Sequence, residues 1–219
     1  MKRIGLYGGS FNPVHLGHVG LARRAIGELS LDRLIVLPAN VSPFKAPCPM
    51  PWDRLASVRA AFADVAGVEV DDRELRRGGV SYAIDTVREI IAERGLGPES
   101  EIFFVVGEDS VEGLPRWKDY DGLVRLVKFV SYPRTGESST AIRSLFEAGR
   151  VVLNPDSKMV ETVRAGLHRK GNYCPCRLQK TPENFCPCAE FRSQLADSAF
   201  HGLCHCRLYL KPNPADGPI

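Results

Sequence analysis

The chain has 219 residues, enough for one sizeable hydrophobic core with a smaller unit attached. Its formal net charge is +3, from 29 basic and 26 acidic residues, and so balanced a charge argues against nucleic acid or a membrane surface as partner. The first apolar run is too short for a signal-peptide core, and no stretch is long enough to span a bilayer. We therefore expect a soluble, cytoplasmic protein.

The first 150 residues alternate short β-rich runs with amphipathic stretches. The runs are residues 3–8, 33–38, 68–70, 102–107 and 127–132. Between them, apolar residues recur at helical spacing, from Leu55 to Val65 and from Ile84 to Ile91. This alternation is typical of an α/β fold with a Rossmann-like, doubly wound parallel sheet. Ligands of such sheets bind beyond the carboxyl ends of the strands.

The first strand ends in the stretch "GGSFNPVHLGH", residues 8–18. Its glycines permit a close turn that presents backbone N–H groups, and His15 and His18 lie three residues apart where a helix begins. Amides and imidazoles in this position favour a polyphosphate site. A histidine pair of this spacing is, taken alone, more often structural or part of a metal site. A zinc site would need further Cys or His ligands, and this region has no obvious ones.

The composition changes in the last third of the chain. Six of the seven cysteines lie between Cys174 and Cys206. We predict a boundary near residues 149–155, which gives one domain at 1–152, a small helical, cysteine-rich domain at 153–211 and a flexible tail at 212–219. A helix capped near Asp156 is expected to run to Gly171. Residues 157–180 carry six cations and one acid, which indicates either a solvated helix face or a docking patch for an acidic protein.

The stretch at residues 8–18 resembles the signature of the HxGH nucleotidyltransferases. Further stretches are similar to those of the nicotinate-nucleotide adenylyltransferase family, namely "SPFK" (42–45), "SYAIDTVREI" (81–90), "FVVGEDSVEGLPRWKDYDGLVRLVKFVSYPR" (104–134) and "SSTAIR" (138–143). They follow the family's order over about 150 residues. The resemblance implies that the first domain transfers AMP from ATP to nicotinate mononucleotide, giving deamido-NAD and pyrophosphate in NAD biosynthesis.

The same resemblance implies roles for individual residues. The catalytic set would be His15, His18, Lys45 and Arg143. The ATP-binding set would be Gly9, Ser10, Phe11, Gly107, Asp109, Ser139 and Thr140, with Ser139 or Thr140 capping the last helix. Thr86 and Trp117 would bind nicotinate mononucleotide, and Mg²⁺ would bridge the phosphates. A phosphate nucleophile is ionised at neutral pH, so positioning and charge neutralisation suffice and no general base is required. Taken singly, Trp117 could instead be a core residue, Asp109 a helix cap and Lys45 a solvated cation.

One departure from the family lies between "SYPR" and "SSTAIR". The family usually has a few tens of residues here, including another helix and strand, whereas this chain has only residues 135–137. We expect one sheet edge and part of the ATP pocket to be missing or replaced, which affects Arg143 most.

The cysteines of the C-terminal segment form three CxC units. They are Cys174/Cys176, Cys186/Cys188 and Cys204/Cys206. Six sulfurs are too many for one tetrahedral zinc, whereas four can hold a [4Fe–4S] cluster and two can cycle between dithiol and disulfide. A structural zinc remains open, and so do ordinary disulfides, although the absent export signal argues against the latter.

Residues 156–211 resemble the catalytic chain of ferredoxin–thioredoxin reductase, whose mark is CPC, CPC and then CHC. The resemblance implies that Cys174, Cys186, Cys188 and Cys204 hold the cluster. Cys176 and Cys206 would form the redox disulfide. The units are separated by nine and then fifteen residues, instead of the usual sixteen and then eight. Ferredoxin and thioredoxin are the implied partners, and the basic stretch would suit an acidic ferredoxin.

The reductase-like segment and the shortened first domain leave an alternative function open. The chain could be an electron-transfer or disulfide-reducing protein whose shortened N-terminal domain only binds nucleotide. The sequence decides neither between nicotinate and nicotinamide acceptors nor the oligomeric state.

Overall fold

The computed structural model describes residues 2–45, 49–51, 53–133, 136 and 138–216. The chain folds into two compact units. The first comprises Met1–Phe11, Gly17–Cys48 and Val65–Gly136, and the second comprises Asn12–Leu16, Pro49–Asp64 and Glu137–Ile219. Each unit is assembled from separate segments of sequence, and the domain boundary at residue 152 stays a prediction.

The first unit is built on a five-stranded sheet. Its strands are β1 (Arg3–Gly9), β2 (Arg33–Pro38), β3 (Val68–Val70), β4 (Glu101–Gly107) and β5 (Lys128–Tyr132). The strand order is β3-β2-β1-β4-β5, and every neighbouring pair is parallel. The predicted Rossmann-like sheet is therefore confirmed. Because all strands point the same way, β1 and β4 end at the same edge of the sheet.

Helices fill the connections between the strands. They are α1 (Leu16–Glu28), α2 (Arg54–Phe62), α3 (Arg73–Arg77), α4 (Ala83–Arg94) and α5 (Tyr120–Leu126), and a 3₁₀ segment (Glu108–Arg116) follows β4. In α4, Ile84, Val87 and Ile90 are spaced at helical intervals, fully buried, and pack on the sheet beside Leu6 and Phe104. This packing fixes α4, which begins within the "SYAIDT" stretch, against the strands.

The second unit has its own small sheet. Besides α2, its elements are α6 (Ser139–Ala148), β6 (Val152–Leu153), α7 (Ser157–Arg169), α8 (Ala189–Ala196), β7 (Gly202–Leu203) and β8 (Tyr209–Lys211). The three strands are antiparallel in the order β6-β8-β7. Asp156 caps α7 by accepting from the Met159 amide, as predicted, and Gly171 follows the helix in the left-handed region at φ 66°.

The cysteines supply much of the core of the second unit. Five of them are buried in one cluster with Ile142 and Phe146 of α6 and Phe191 of α8. The helix α6 is capped by Ser138, whose side chain accepts from the Ala141 amide, so the prediction of a cap at Ser139 or Thr140 was wrong by one residue.

Two further expectations concern the chain after β5 and the C-terminal tail. Within the described residues, α6 follows β5 with no further strand added to the parallel sheet. In the tail that was predicted to be flexible, Pro214–Asp216 form a 3₁₀ turn, while 217–219 lie outside the described residues, as does Cys48. No helix in the described ranges is long and apolar enough to cross a membrane.

Candidate nucleotide site and cysteine site

A cavity of about 340 Å³ lies within the first unit, where β1 and β4 end. Six of the predicted site residues line it, and they come from three separate stretches of sequence. They are Gly9, Ser10, Lys45, Gly107, Asp109 and Trp117. The volume is at the lower end of the range for small-ligand sites, and the lining combines glycine backbone, a cation and an aromatic ring. This arrangement suits an anionic, ring-containing ligand.

Close neighbours leave little room for a side chain at the glycines where β1 ends. A Cβ atom at Gly8 would lie 3.3 Å from the Phe104 ring, and one at Gly9 would lie 3.1 Å from the Phe11 ring. Phe11 itself is buried, with φ at 44°, and its ring stands edge-on to Tyr7 at 5.3 Å. Its ring does not line the cavity, so any contact of Phe11 with ATP would be through the backbone.

The two histidines differ in burial. His15 directly precedes α1 and is 8% exposed, whereas His18 lies in the first turn of α1 and is half-buried. The His18 ring stands edge-on to Phe11, with 5.0 Å between centroids. Packing against Phe11 thus holds the His18 imidazole in a fixed orientation.

The remaining predicted ATP-site residues form a cluster within the second unit. The Ser139 hydroxyl donates to the Pro13 carbonyl at 3.0 Å. The Arg143 guanidinium donates from Nη1 to the Asn12 carbonyl at 2.6 Å and from Nη2 to Thr140 Oγ1 at 3.0 Å. The side chains of α6 therefore hold the backbone of the segment that carries His15.

Thr86 does not line the cavity. It is fully buried, and its hydroxyl donates to Glu74 Oε1 at 2.7 Å while accepting from Arg77 Nη2 at 2.9 Å. Glu74 is 6% exposed and does line the cavity. Glu74 therefore lies between Thr86 and the cavity.

Sequence reasoning did not single out several residues that line the cavity. They include Ser42, Phe44, Glu74, Tyr82, Arg116 and Lys118. Most lie inside stretches that had been quoted for their resemblance, so position alone could have suggested them. Glu74 lies in "DDRELRR", which looks like a solvated charged helix, and only its burial distinguishes it.

All six C-terminal thiols are free, and several of their sulfurs lie close together. The Sγ atoms of Cys174, Cys176 and Cys206 all lie within 4.8 Å of one another, and Cys204 Sγ lies 3.5 Å from Cys206 Sγ. Of the six, Cys176 alone is exposed. This group of three sulfurs thus contains both predicted redox cysteines and one predicted cluster ligand.

The environment of the sulfurs favours thiolates at some positions and thiols at others. Hydrogen bonds from Cys188 and Cys206 lower the pKa of Cys174, and a hydrogen bond from Cys206 lowers the pKa of Cys204 to about 7. Burial raises the pKa of Cys186. Buried, converging sulfurs with thiolate character are the donors that soft metals and iron–sulfur clusters require, so this site fits such a group.

Part of the basic stretch before and between the cysteines is neutralised. Arg177 pairs with Glu190 of α8, and Lys180 pairs with Asp64 at 2.8 Å. The remaining cations of this stretch, Lys158, Arg164, Arg169 and Lys170, lie on α7 or at its C-terminal end.

The parallel sheet and the cavity at its carboxyl edge define an α/β nucleotide-binding protein of the Rossmann-like class. Comparison with known proteins narrows this class. The family model described as cytidylyltransferase-like matches residues 6–172. A protein of Gemmatimonas aurantiaca named probable nicotinate-nucleotide adenylyltransferase is 37% identical over 199 residues, covering 77% of this chain and 93% of that protein. One of the same name from Shouchella clausii is 39% identical, covering 73% and 83%.

The chain therefore belongs to the cytidylyltransferase-like family and, within it, to the nicotinate-nucleotide adenylyltransferases. A solved structure from Vibrio parahaemolyticus assigned to the same group shares the fold, with a TM-score of 0.51 and 24% identity, covering 68% of this chain and 89% of that one. Residues 139–217 also match the family model of the ferredoxin thioredoxin reductase catalytic beta chain. Both resemblances seen in the sequence are thus confirmed, and the two family matches overlap at 139–172.

Proposed function

We propose that this chain transfers AMP from ATP to nicotinate mononucleotide, releasing pyrophosphate. The carrying observation is the cavity in which six residues from three family-like stretches converge. Family membership supports the reaction, since the relatives with which the chain aligns over most of their length are named for it.

In this reaction an oxygen of the acceptor's 5′-phosphate forms a bond to the α-phosphorus of ATP. The bond from that phosphorus to the oxygen bridging the α- and β-phosphates breaks, and pyrophosphate leaves with the electron pair. The protein's task is to align the two phosphates and offset their charge. We assign this task to His15, His18, Lys45 and Arg143, with the Gly9 to Phe11 backbone close to the α-phosphate. Mg²⁺, brought in with the phosphates of ATP, would supply further positive charge to offset theirs.

The nucleoside ends would occupy the rest of the cavity. Gly107 and Asp109 follow β4 and would bind the adenosine of ATP, while Ser139 and Thr140 would assist at its phosphates. Trp117 would stack on the pyridine ring, since it is half-buried and already stands against Phe104 at 5.6 Å between centroids. Thr86 would act indirectly, by holding Glu74 in the cavity wall.

The test is pyrophosphate release by the full chain supplied with ATP and Mg²⁺. Nicotinate mononucleotide, nicotinamide mononucleotide and phosphopantetheine are offered in parallel. We expect release with nicotinate mononucleotide to be the fastest. A folded protein that is inert toward all three acceptors would overturn the proposal.

For the cysteine site we propose a [4Fe–4S] cluster held by Cys174, Cys186, Cys188 and Cys204. Such a cluster would supply electrons one at a time when bound. Cys176 and Cys206 lie close enough to form a disulfide, which would accept two electrons and two protons and become a dithiol. A brown anaerobic preparation with iron and sulfide in equal amounts would support this, whereas a colourless one containing only zinc would exclude it. Free thiols suit a reducing compartment, and we place the protein in the cytoplasm.

A second function, disulfide reduction with ferredoxin and thioredoxin as partners, is favoured by the exposure of Cys176 beside Cys206. Reduction of oxidised thioredoxin by the protein and a reduced ferredoxin would test it. The two activities are separable, because pyrophosphate release needs no electron donor.

A further inference from the structure

The helix α6 contacts two different parts of the second unit. At its N-terminal end, Ser139 and Arg143 donate to the carbonyls of Pro13 and Asn12. These carbonyls belong to residues 12–16, here called the histidine loop because it contains His15. Two side chains of one helix thus hold consecutive backbone carbonyls of the loop. One of these bonds is charge-assisted, which makes the attachment strong.

The buried side of α6 rests on the cysteine core. Phe146 is 1% exposed and stands edge-on to Tyr209 at 5.1 Å and to Phe191 at 5.9 Å. Tyr209 in turn contacts two sulfurs: its amide donates to Cys204 Sγ at 3.3 Å, and its side chain is hydrogen-bonded to Cys186. One residue, Tyr209, therefore separates Phe146 from two proposed metal ligands.

This arrangement makes α6 dependent on the state of the cysteines. A helix of ten residues is marginal by itself and owes its stability to packing. The packing surface is a small core in which thiols take the place of larger apolar side chains. In domains of this kind, metal binding contributes much of the folding free energy, so metal loss loosens the core.

We propose that metal occupancy of the cysteine site controls how firmly α6 holds the histidine loop, and through it the affinity for ATP. This rests on the proposed cysteine site and, for ATP, on the proposed function of His15. Ser139, Arg143 and Phe146 act in it as positioning residues. By linkage, ATP must raise the affinity for the metal by the same factor that the metal raises the affinity for ATP.

The experiment compares two states of the same full-length protein, one stripped by a chelator under reducing conditions and one reloaded with Zn²⁺. Amide hydrogen exchange of residues 12–16 and 139–148 is measured without nucleotide, and the dissociation constant of ATP is measured by calorimetry. We expect exchange in both segments to be about 10-fold faster, and ATP to bind about 10-fold more weakly, in the stripped protein. Equal exchange at 12–16 in the two states would overturn the proposal, as would failure to take up Zn²⁺.

Two variants locate the coupling. Phe146→Leu, or Phe146→Ala if it folds, should still bind Zn²⁺ but lose most of the difference between stripped and loaded protein. Ser144→Ala, at an exposed position of the same helix, should keep the full difference between stripped and loaded protein. A Phe146 variant that retains the full metal dependence contradicts the proposal. A third outcome separates the two proposals. If neither the stripped nor the loaded protein binds ATP but exchange at 12–16 still responds to Zn²⁺, then the metal does control the histidine loop, and the proposed transferase function is wrong.

Discussion

Thr86 and Glu74 share a buried 2.7 Å hydrogen bond, in which the threonine hydroxyl donates to the carboxylate. Glu74 reaches the cavity and Thr86 does not. A residue predicted to touch the substrate thus supports one that lines the cavity.

Replacing Thr86 with valine keeps the shape of the side chain but removes the donor. Because Glu74 is buried, the loss should lower the free energy of unfolding by about 1–3 kcal/mol. Urea denaturation measures this, with Thr86→Ser as the control that retains the hydroxyl. Equal stability of the two variants would show that the bond contributes little.

His18→Ala should reduce turnover by roughly 10²–10³-fold, the scale for removing one preorganised group that stabilises developing charge. The substitution also removes an aromatic contact with Phe11, so circular dichroism and thermal unfolding must show that the fold is intact. An unchanged rate in a folded variant would remove His18 from the mechanism.

Lys45→Met tests the cation on the cavity rim. Methionine is unbranched and only one atom shorter than lysine, so a fall in kcat of roughly 10²-fold reports mainly the lost charge. Lys45→Arg should retain part of the rate because it keeps the charge with a different geometry. If both variants turn over as fast as the unaltered protein, Lys45 is only a solvated loop residue.

Trp117→Ala should raise the KM for nicotinate mononucleotide about 3- to 10-fold, from the loss of stacking worth about 0.5–1.5 kcal/mol, and leave the KM for ATP unchanged. Since Trp117 also packs on Phe104 and Phe129, Trp117→Phe serves as the control that keeps a ring. Parallel changes in both KM values would indicate a general loosening of the cavity.

Cys176→Ser should leave the metal content and colour of the protein unchanged and abolish thiol exchange, since Cys176 is the exposed cysteine of the group. Cys186→Ser should lower the metal content instead. Iron, zinc and sulfide analyses, with a thiol-exchange assay, check both variants. Loss of colour in Cys176→Ser would assign that sulfur to the metal.

Local patterns were sufficient to predict the parallel sheet, because each strand carries its own run of apolar residues, such as those of β4. The end of α7 was equally readable, since Gly171 marks it. The cap of α6 was misplaced by one residue because Ser138, Ser139 and Thr140 are all suitable cap residues, and only the backbone geometry selects Ser138.

The position of Thr86 could not be read from the sequence in the same way. Its direction depends on how α4 rotates against the sheet and on a carboxylate twelve residues earlier in the chain. The grouping of α6 with the cysteine core likewise depends on Phe146 meeting Phe191 and Tyr209, which lie 45 and 63 residues away in sequence. Long-range packing of this kind leaves no local pattern.

The stretch 139–172 is matched by both family models and contains the whole of α6 and α7. A cut before residue 139 would remove from the transferase part the helix α6, whose side chains bind the carbonyls of Asn12 and Pro13. A cut after residue 172 would remove from the reductase-like part the two helices, α6 and α7, that pack against its cysteines. No single peptide bond separates the chain into two self-sufficient halves. Loss of either part by proteolysis or truncation should therefore damage the other.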